Sequence, residues 1–229
     1  MTSLKENYQE LTANINRLIE KCPEASNEIE TICVSKYASL QQMSLLYDLG
    51  VRHFGENRPL IFKDKYDALK SKDQIIWHFI GQLQSRMVKT IINQIDYLHS
   101  LDRLSLAKEI QKRADHPVKC FLQVNISGEA SKSGINPDQI DSFIEDIQIY
   151  DKLQIIGLMT MAPYEAQEAE LLDIFNQLRQ LRDDIQAKNI LDTSFKELSM
   201  GMTRDYPQAI ACGATYLRIG SAFFKNIEN

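Results

Sequence analysis

The sequence predicts an α/β protein built as a single TIM-type (β/α)8 barrel with an extra N-terminal helix. Two features lead to this prediction: short apolar runs rich in β-branched and aromatic residues, and the longer amphipathic segments that separate them. Strands that alternate with helices pair in parallel through right-handed crossovers, and eight of them can close into a barrel. An open doubly wound sheet is the alternative, which this periodicity does not exclude.

The eight predicted strands are residues 29–35, 51–55, 75–81, 95–100, 118–125, 153–159, 195–199 and 215–220. Helices are predicted at the N-terminus, over 40–49 with Gly50 as the stop, and over 167–187. Only residues 221–229 follow the last strand, so we expect the N-terminal helix to complete the outer ring. No linker or repeat divides the chain, which indicates one domain over residues 1–229.

The composition argues against several classes of protein. Lys and Arg total 26 against 31 Asp and Glu, a net charge of -5 that disfavours nucleic acid or an anionic membrane as partner. The N-terminus is polar and no apolar run approaches about 18 residues, so neither a secretory signal nor a membrane span is predicted. Four scattered cysteines form no CxxC pair, and the two inside apolar strand-like runs are expected to be buried free thiols, as in a cytoplasmic protein.

Lys36 is the most informative residue at the end of a strand. Active sites of parallel barrels lie at the C-terminal ends of the strands, and Lys36 comes directly after the first apolar run. We expect its ammonium to lose water contact there, which favours a neutral amine able to attack an aldehyde and form an imine. The alternative is a lysine that reaches past the strand into solvent.

Strands seven and eight end in small residues, which predict a phosphate site. They are Ser199, Gly201, Gly220 and Ser221. Barrels that bind phosphate commonly do so with the loops after these two strands. Tight turns are the alternative explanation for the glycines. Arg218, within an apolar run, needs a buried partner, either a structural carboxylate or a ligand.

Histidines on strands two, three and four do not predict a metal site. His53, His78 and His99 show neither HxH nor HExxH spacing, and no aspartate ends a strand among them. We therefore expect them to line the barrel as core histidines, with no metal.

Seven segments together resemble the family of pyridoxal phosphate homeostasis proteins, in the same order over nearly the whole chain. They are Val34-Ser35-Lys36, Gly55-Glu56-Asn57, Trp77-His78-Phe79-Ile80-Gly81 with Leu83-Gln84, Ser131-Lys132-Ser133-Gly134, Gly157-Leu158-Met159, Leu198-Ser199-Met200-Gly201-Met202 and Arg218-Ile219-Gly220-Ser221. The chain departs from the usual pattern at Arg58-Pro59, Arg86 and Lys225.

The resemblance implies a barrel like the N-terminal domain of alanine racemase, with pyridoxal 5′-phosphate (PLP) as the cofactor. It implies a Schiff base on Lys36, phosphate contacts from the small residues of strands seven and eight, and Arg218 at the pyridine nitrogen. Asn57 and Met159 would form walls of the site. The family is associated with storing or passing on the cofactor, and so with vitamin B6 and amino-acid balance, without an established catalytic activity.

Two enzyme functions remain as alternatives. A racemase or decarboxylase acting on amino acids would need a second, β-rich domain, and with nine residues after the last strand we expect that domain to be absent. A class I aldolase commonly carries its lysine on strand six, which here ends in Met159. We therefore expect an open barrel mouth, a monomer, and PLP-dependent apo-enzymes as partners.

Overall fold

The computed structural model describes residues 3–26, 28–129 and 132–227, whose strands close into a parallel barrel. The eight strands follow the order of the sequence, and β8 pairs with β1. They are β1 Glu30–Val34, β2 His53–Glu56, β3 Ile76–Phe79, β4 Tyr97–Leu101, β5 Val118–Gln123, β6 Leu153–Met159, β7 Glu197–Met202 and β8 Tyr216–Ile219. All eight predicted strands are confirmed, and the closing pair excludes the open sheet.

Helices surround the barrel and cover its outer face. They are α1 Leu4–Lys21, α2 Leu40–Asp48, α3 Pro59–Leu69, α4 Val88–Ile91, α5 Leu104–Arg113, α6 Ile140–Ile147, α7 Glu168–Ala187 and α8 Tyr206–Ala211. Short 3-10 turns, Ser85–Met87 and Pro137–Gln139, precede α4 and α6. In the part of the chain that the structure describes, no helix is long and apolar enough to cross a membrane.

Helix α1 completes the ring, as predicted, by packing between α8 and α2. Its start is set by a capping box in which Ser3 and Glu6 exchange backbone and side-chain hydrogen bonds. The Asn7 side chain donates to the backbone carbonyls of Phe223 and Lys225, at 3.1 and 2.8 Å. These bonds fasten the segment after β8 to α1.

Helix α2 ends where the sequence predicts. Gly50 has a φ of +102°, a left-handed conformation that favours glycine, and its N–H donates to the Tyr47 carbonyl at 3.0 Å. The following N–H, of Val51, donates to the Leu46 carbonyl. These bonds turn the chain sharply into β2.

Side chains of the strands alternate between the barrel interior and the core under the helices. Ile32 lies in the interior cluster together with Phe121 and Tyr216, whereas Cys33 packs in the core beneath the helices. Because strand residues alternate with a period of two, Val34 follows Ile32 toward the interior side, and β1 ends there, two residues before Lys36.

Candidate functional site

The eight residues predicted for the site lie on five neighbouring strands of the barrel. Lys36 follows β1, Asn57 follows β2, Met159 ends β6, Ser199 and Gly201 lie in β7, Arg218 lies in β8, and Gly220 and Ser221 follow β8. In the closed barrel these strands form one arc, in the order β6, β7, β8, β1, β2. Strand closure therefore gathers residues from across the chain on one side of the mouth.

Lys36 lies between the ends of two neighbouring strands. Val34 pairs with Gly55 of β2, and Cys33 pairs with Ile219 of β8. The Ser35 N–H extends the pairing to β2 by donating to the Gly55 carbonyl at 3.0 Å. The lysine is thus flanked on one side by the loop containing Asn57 and on the other by the loop containing Gly220.

The expectation that Lys36 loses water contact is wrong. Its side chain is exposed, and Nζ lies 4.9 Å from the ring centroid of Tyr37, which is itself exposed. The physical reason is that β1 ends at Val34, so the lysine lies in a turn beyond the sheet rather than within it. This exposure agrees with the expectation of an open barrel mouth.

A buried ion pair holds the backbone immediately before Lys36. Lys65 of α3 lies 2.7 Å from the carboxylate of Glu56 and also donates to the Ser35 carbonyl at 2.6 Å. The Ser35 hydroxyl donates to the same Glu56 oxygen at 2.7 Å. Buried charges are tolerated when they are paired in this way, and the pair fixes the turn from which Lys36 projects.

Arg218 is buried in the barrel interior and held by two hydrogen bonds. One guanidinium nitrogen donates to the Ser199 hydroxyl at 2.6 Å and the other to the Thr160 carbonyl at 2.9 Å. Burial lowers the pKa of Arg218 to about 10, opposed by the nearby carboxylate of Asp205, so the guanidinium is charged at neutral pH. Its bonded partners are a hydroxyl and a carbonyl, rather than the structural carboxylate considered from the sequence.

The Ser199 side chain points into the interior, where it joins Arg218 to a histidine. Its Oγ lies 2.8 Å from Nδ1 of His99 and accepts the hydrogen bond from Arg218. Ser199 is fully buried. In this arrangement the hydroxyl orients the guanidinium, and direct contact between Ser199 and a phosphate stays a prediction.

The loops after β7 and β8 approach each other at the mouth. The Gly220 N–H donates to the Thr203 hydroxyl at 3.3 Å, and Ser221 is exposed next to it. Gly201 has a φ of +88°, and a Cβ there would lie 2.6 Å from the Cβ of Ala209 in α8. Gly201 therefore serves the packing of β7 on its helix, while Gly220 and Ser221 face the mouth.

Met159 and Asn57, which the resemblance implies as walls of the site, lie at the end of β6 and just after β2. Met159 is buried in the interior cluster with Phe121 and Tyr216. Asn57 is half-buried, and its backbone carbonyl lies so close to Gly81 that a Cβ at residue 81 would come within 2.2 Å. The mouth thus has an apolar floor at β6 and a tightly packed backbone at β2 and β3.

The three histidines are interior residues with hydrogen-bond partners, as predicted. His53 Nδ1 lies 3.0 Å from His78 Nε2, and His78 Nδ1 lies 2.9 Å from His99 Nε2. Among residues 3–26, 28–129 and 132–227, no group of three or more His, Cys, Asp and Glu side chains could hold a metal ion. Cys33 and Cys120 are buried, and burial raises the pKa of both thiols.

Sequence reasoning missed Lys65 and Thr203. Lys65 has a detectable signal, because its spacing from Phe62 and Leu69 puts a charge on the buried face of α3. Thr203 is the first hydroxyl after β7, at the position where phosphate-binding loops begin. Of the segments behind the family resemblance, Ser131 lies outside the described residues.

The three departures from the family pattern lie at the edge of the site or away from it. Arg58 is exposed and precedes α3, where Pro59 takes the first helical position. Arg86 is exposed in the 3-10 turn after β3, with Nε 2.9 Å from the Gln84 side chain. Lys225 is exposed, and its backbone carbonyl accepts a hydrogen bond from the Asn7 side chain.

Comparison with known proteins places the chain among described relatives. The family model for the alanine racemase N-terminal domain matches residues 7–226. A protein of Aquifex aeolicus named "Pyridoxal phosphate homeostasis protein" is 35% identical over 222 residues, covering 96% of both chains. A protein of Vibrio cholerae with the same name is 34% identical over 231 residues, covering 98% of this chain and 96% of the relative.

Solved structures show the same barrel. PipY of Synechococcus elongatus PCC7942, solved with PLP bound, has a TM-score of 0.85 and 30% identity, covering 97% of this chain and 100% of PipY. An alanine racemase of Corynebacterium glutamicum has a TM-score of 0.69 at 11% identity, covering 94% of this chain and 62% of the racemase. At that identity the racemase shares the fold alone.

Proposed function

Since this chain belongs to the family of pyridoxal phosphate homeostasis proteins, we propose that it binds PLP at the C-terminal mouth of its barrel. The cofactor is held as a Schiff base on Lys36 and is stored or passed on to PLP-dependent apo-enzymes. Through that supply the protein affects vitamin B6 and amino-acid metabolism. The proposal includes a single domain acting as a monomer in the cytoplasm.

The position of Lys36 is the observation that carries this proposal. An exposed primary amine follows β1, beside the loops of β2 and β8, and the turn that carries it is held by the Lys65–Glu56 pair. PLP supplies an aldehyde that condenses with such an amine, and water leaves. An exposed lysine is accessible to the incoming cofactor and also to an apo-enzyme that takes the cofactor over.

The residues around Lys36 fit the other parts of the cofactor. The Gly220 N–H, with the hydroxyls of Ser221 and Thr203, offers small and polar groups suited to a phosphate. Ser199 contributes through Arg218, which its hydroxyl holds, and its own phosphate contact remains part of the proposal. Gly201 contributes by shaping the β7 end.

Arg218 is suited to the pyridine nitrogen of the cofactor. Its two hydrogen bonds hold the guanidinium in place in the interior of the barrel, two residues before Gly220. A guanidinium only donates, and a cation beside the ring nitrogen disfavours protonation of that nitrogen. The ring is then a weaker electron sink, which suits holding a cofactor better than stabilising carbanions.

The enzyme alternatives receive less support. The relatives at 34% and 35% identity are named for homeostasis rather than for a reaction. The more distant solved structures, among them the alanine racemase of Corynebacterium glutamicum, share only the barrel, at 11–15% identity. Strand six ends in Met159 rather than a lysine, which disfavours a class I aldolase.

A titration with PLP tests the proposal. Wild-type protein should develop the visible absorbance of a protein-bound Schiff base and retain the cofactor through gel filtration. Lys36→Ala should retain none, whereas Lys70→Ala, which removes an exposed lysine from the end of α3, should behave as wild type. Equal retention by wild type and Lys36→Ala would contradict the site.

Turnover assays on the loaded protein separate storage from catalysis. Holo protein should transfer PLP to an apo-enzyme, measured as recovered activity of that enzyme. Rapid racemisation or decarboxylation of common amino acids by the holo protein would favour the enzyme alternative instead.

A further inference from the structure

A line of side-chain hydrogen bonds crosses the barrel interior from the site to its opposite end. Its six members, which we call the histidine line, are Arg218, Ser199, His99, His78, His53 and Glu30. From the Arg218 end, its five donor–acceptor distances are 2.6, 2.8, 2.9, 3.0 and 3.1 Å. Residues of β2, β3 and β4 thus reach β7 and β8 through the barrel.

The two ends of the histidine line fix the direction of every bond in it. Arg218 can only donate, and the Glu30 carboxylate can only accept. The Ser199 oxygen accepts a hydrogen bond from Arg218, so the Ser199 hydroxyl is free to donate its own hydrogen to Nδ1 of His99. A neutral imidazole that accepts at Nδ1 donates from Nε2, and this repeats along the line until the last ring donates to Glu30.

The opposite direction leaves two defects. The last ring would turn a bare Nε2 toward the carboxylate of Glu30 at 3.1 Å, so that two acceptors face each other. At the other end, the buried Ser199 hydroxyl would accept hydrogen bonds from both Arg218 and His99. Its own hydrogen would then have no acceptor within the histidine line. The line therefore selects the Nε2–H tautomer for all three histidines.

The surroundings of the rings support neutral imidazoles. Burial holds the pKa of His78 and of His99 well below the usual range, and the neighbouring charges add to this. Burial also lowers the pKa of His53, whose other facing groups are Glu30 and Asp96, which oppose the shift, and Lys119, which adds to it.

We propose that His53, His78 and His99 are positioning residues for the cofactor. Through the histidine line, the group at position 30 sets the orientation of the Ser199 hydroxyl and thereby the strength of its hydrogen bond with Arg218. A hydroxyl that donates to His99 is a better acceptor for Arg218, because hydrogen bonds in a chain strengthen one another. This inference rests on the proposed function, in which Arg218 contacts the cofactor ring.

Packing around the rings favours transmission by tautomer rather than by movement. His78 stacks on Tyr97 with ring centroids 4.5 Å apart, and His99 stacks on Phe121 at 4.4 Å. Rings held on their faces in a close-packed interior resist rotation. A change at one end therefore passes along the line mainly as an exchange of which nitrogen carries hydrogen.

The distant end of the line is accessible to substitution. Glu30 and His53 line a cavity of about 430 Å³ between α1 and the N-terminal ends of β1 and β2. The Glu30 side chain is 51% exposed. A replacement at position 30 can therefore extend into this cavity without disturbing the core.

The test replaces the acceptor at the end of the line with a donor. In wild-type protein without cofactor, NMR of nitrogen-labelled histidines should show the Nε2–H tautomer for His53, His78 and His99. In Glu30→Lys, the ammonium donates to His53, so His99 should change to Nδ1–H. The dissociation constant for PLP, measured by absorbance titration, should rise roughly fivefold because the hydrogen bond between Ser199 and Arg218 is weaker.

Two matched variants control for charge and for folding. Glu28→Lys makes the same charge change two residues away, on an exposed side chain, and should leave tautomers and affinity as in wild type. Glu30→Gln keeps an acceptor oxygen and should also behave as wild type. Thermal unfolding of each variant checks that it folds. The tautomers of the wild-type protein are measured directly, so that part of the test does not depend on any variant folding.

A wild-type Nδ1–H tautomer at any of the three histidines would overturn the proposal. So would a folded Glu30→Lys variant with the His99 tautomer and the PLP affinity both unchanged. If wild-type protein fails to bind PLP, the proposed function fails and the positioning role with it. The tautomers of the cofactor-free protein would then still report on the line itself.

Discussion

At the rim of the barrel mouth, Lys36 is exposed and its ammonium lies over the ring of an exposed tyrosine. In the wall behind the rim, Lys65 of α3 is buried and bonded to both Glu56 and the Ser35 carbonyl. The first lysine is accessible to a reactant, and the second fixes the backbone that carries the first. This contrast teaches that the rim supplies reactive groups while the buried wall and interior supply their positions.

Removing the buried lysine should give the largest effect on stability. Lys65→Met leaves the Glu56 carboxylate buried without its cation and should lower the free energy of unfolding by about 3 to 5 kcal/mol. Urea unfolding measures this change. Lys63→Met, which breaks the partly exposed pair with Asp67 on the same helix, should cost less than about 0.5 kcal/mol. Equal losses of unfolding free energy in the two variants would show that the buried Lys65–Glu56 pair contributes no more to stability than an exposed pair.

Mild acid should destabilise the folded protein through its interior histidines. His78 and His99 are neutral in the folded state because burial keeps their pKa well below the usual range. As pH falls below about 6.5, the unfolded chain takes up protons that the folded chain cannot, so stability decreases. Two such histidines together should lower the free energy of unfolding by about 2 to 3 kcal/mol between pH 7 and pH 5.5.

Urea unfolding across this pH range measures the loss, and His116→Gln, at an exposed histidine, serves as control. A stability independent of pH over this range would mean that the interior histidines accept protons in the folded state.

Gly201 tests whether the β7 end depends on packing or on backbone conformation. Gly201→Ala adds a Cβ in a left-handed conformation and places it 2.6 Å from Ala209, so we expect a loss of about 2 kcal/mol. Gly50→Ala has the same type of backbone strain, with no heavy atom within 4 Å of the added Cβ, and should cost about 1 kcal/mol. Thermal unfolding of both separates the clash from the strain.

The smallest effect on stability should come from the rim. Lys36→Met removes an exposed ammonium beyond the sheet and should change the free energy of unfolding by less than about 0.5 kcal/mol. A loss as large as that of Lys65→Met would show that Lys36 is part of the buried wall. Lys36 and Lys65 would then no longer differ as an exposed reactive lysine and a buried structural one.

The barrel itself could be predicted from the sequence because each of its strands is a short apolar run. Strand ends then pointed to Lys36, Arg218 and Ser221, since parallel barrels collect strand ends at one mouth. Predicted and observed strand bounds differ mainly where the pairing stops short of the apolar run, as at Ile29 and Ile80.

Other parts of the site depend on three-dimensional placement that spacing does not contain. The exposure of Lys36 depends on where β1 stops pairing, which the apolar run did not show. The Lys65–Glu56 pair depends on how α3 rotates against β2. The bond from Ser199 to His99 joins residues 100 positions apart across the interior, and only the closed barrel reveals it.

Reduction of the loaded protein directly tests whether PLP is bound to Lys36. Protein incubated with PLP is treated with borohydride, digested, and its peptides are identified by mass spectrometry. We expect one dominant modified lysine, Lys36, with Lys65 unmodified because it is buried in its ion pair. Modification spread over exposed lysines, or concentrated on a lysine other than Lys36, would contradict a Schiff base on Lys36.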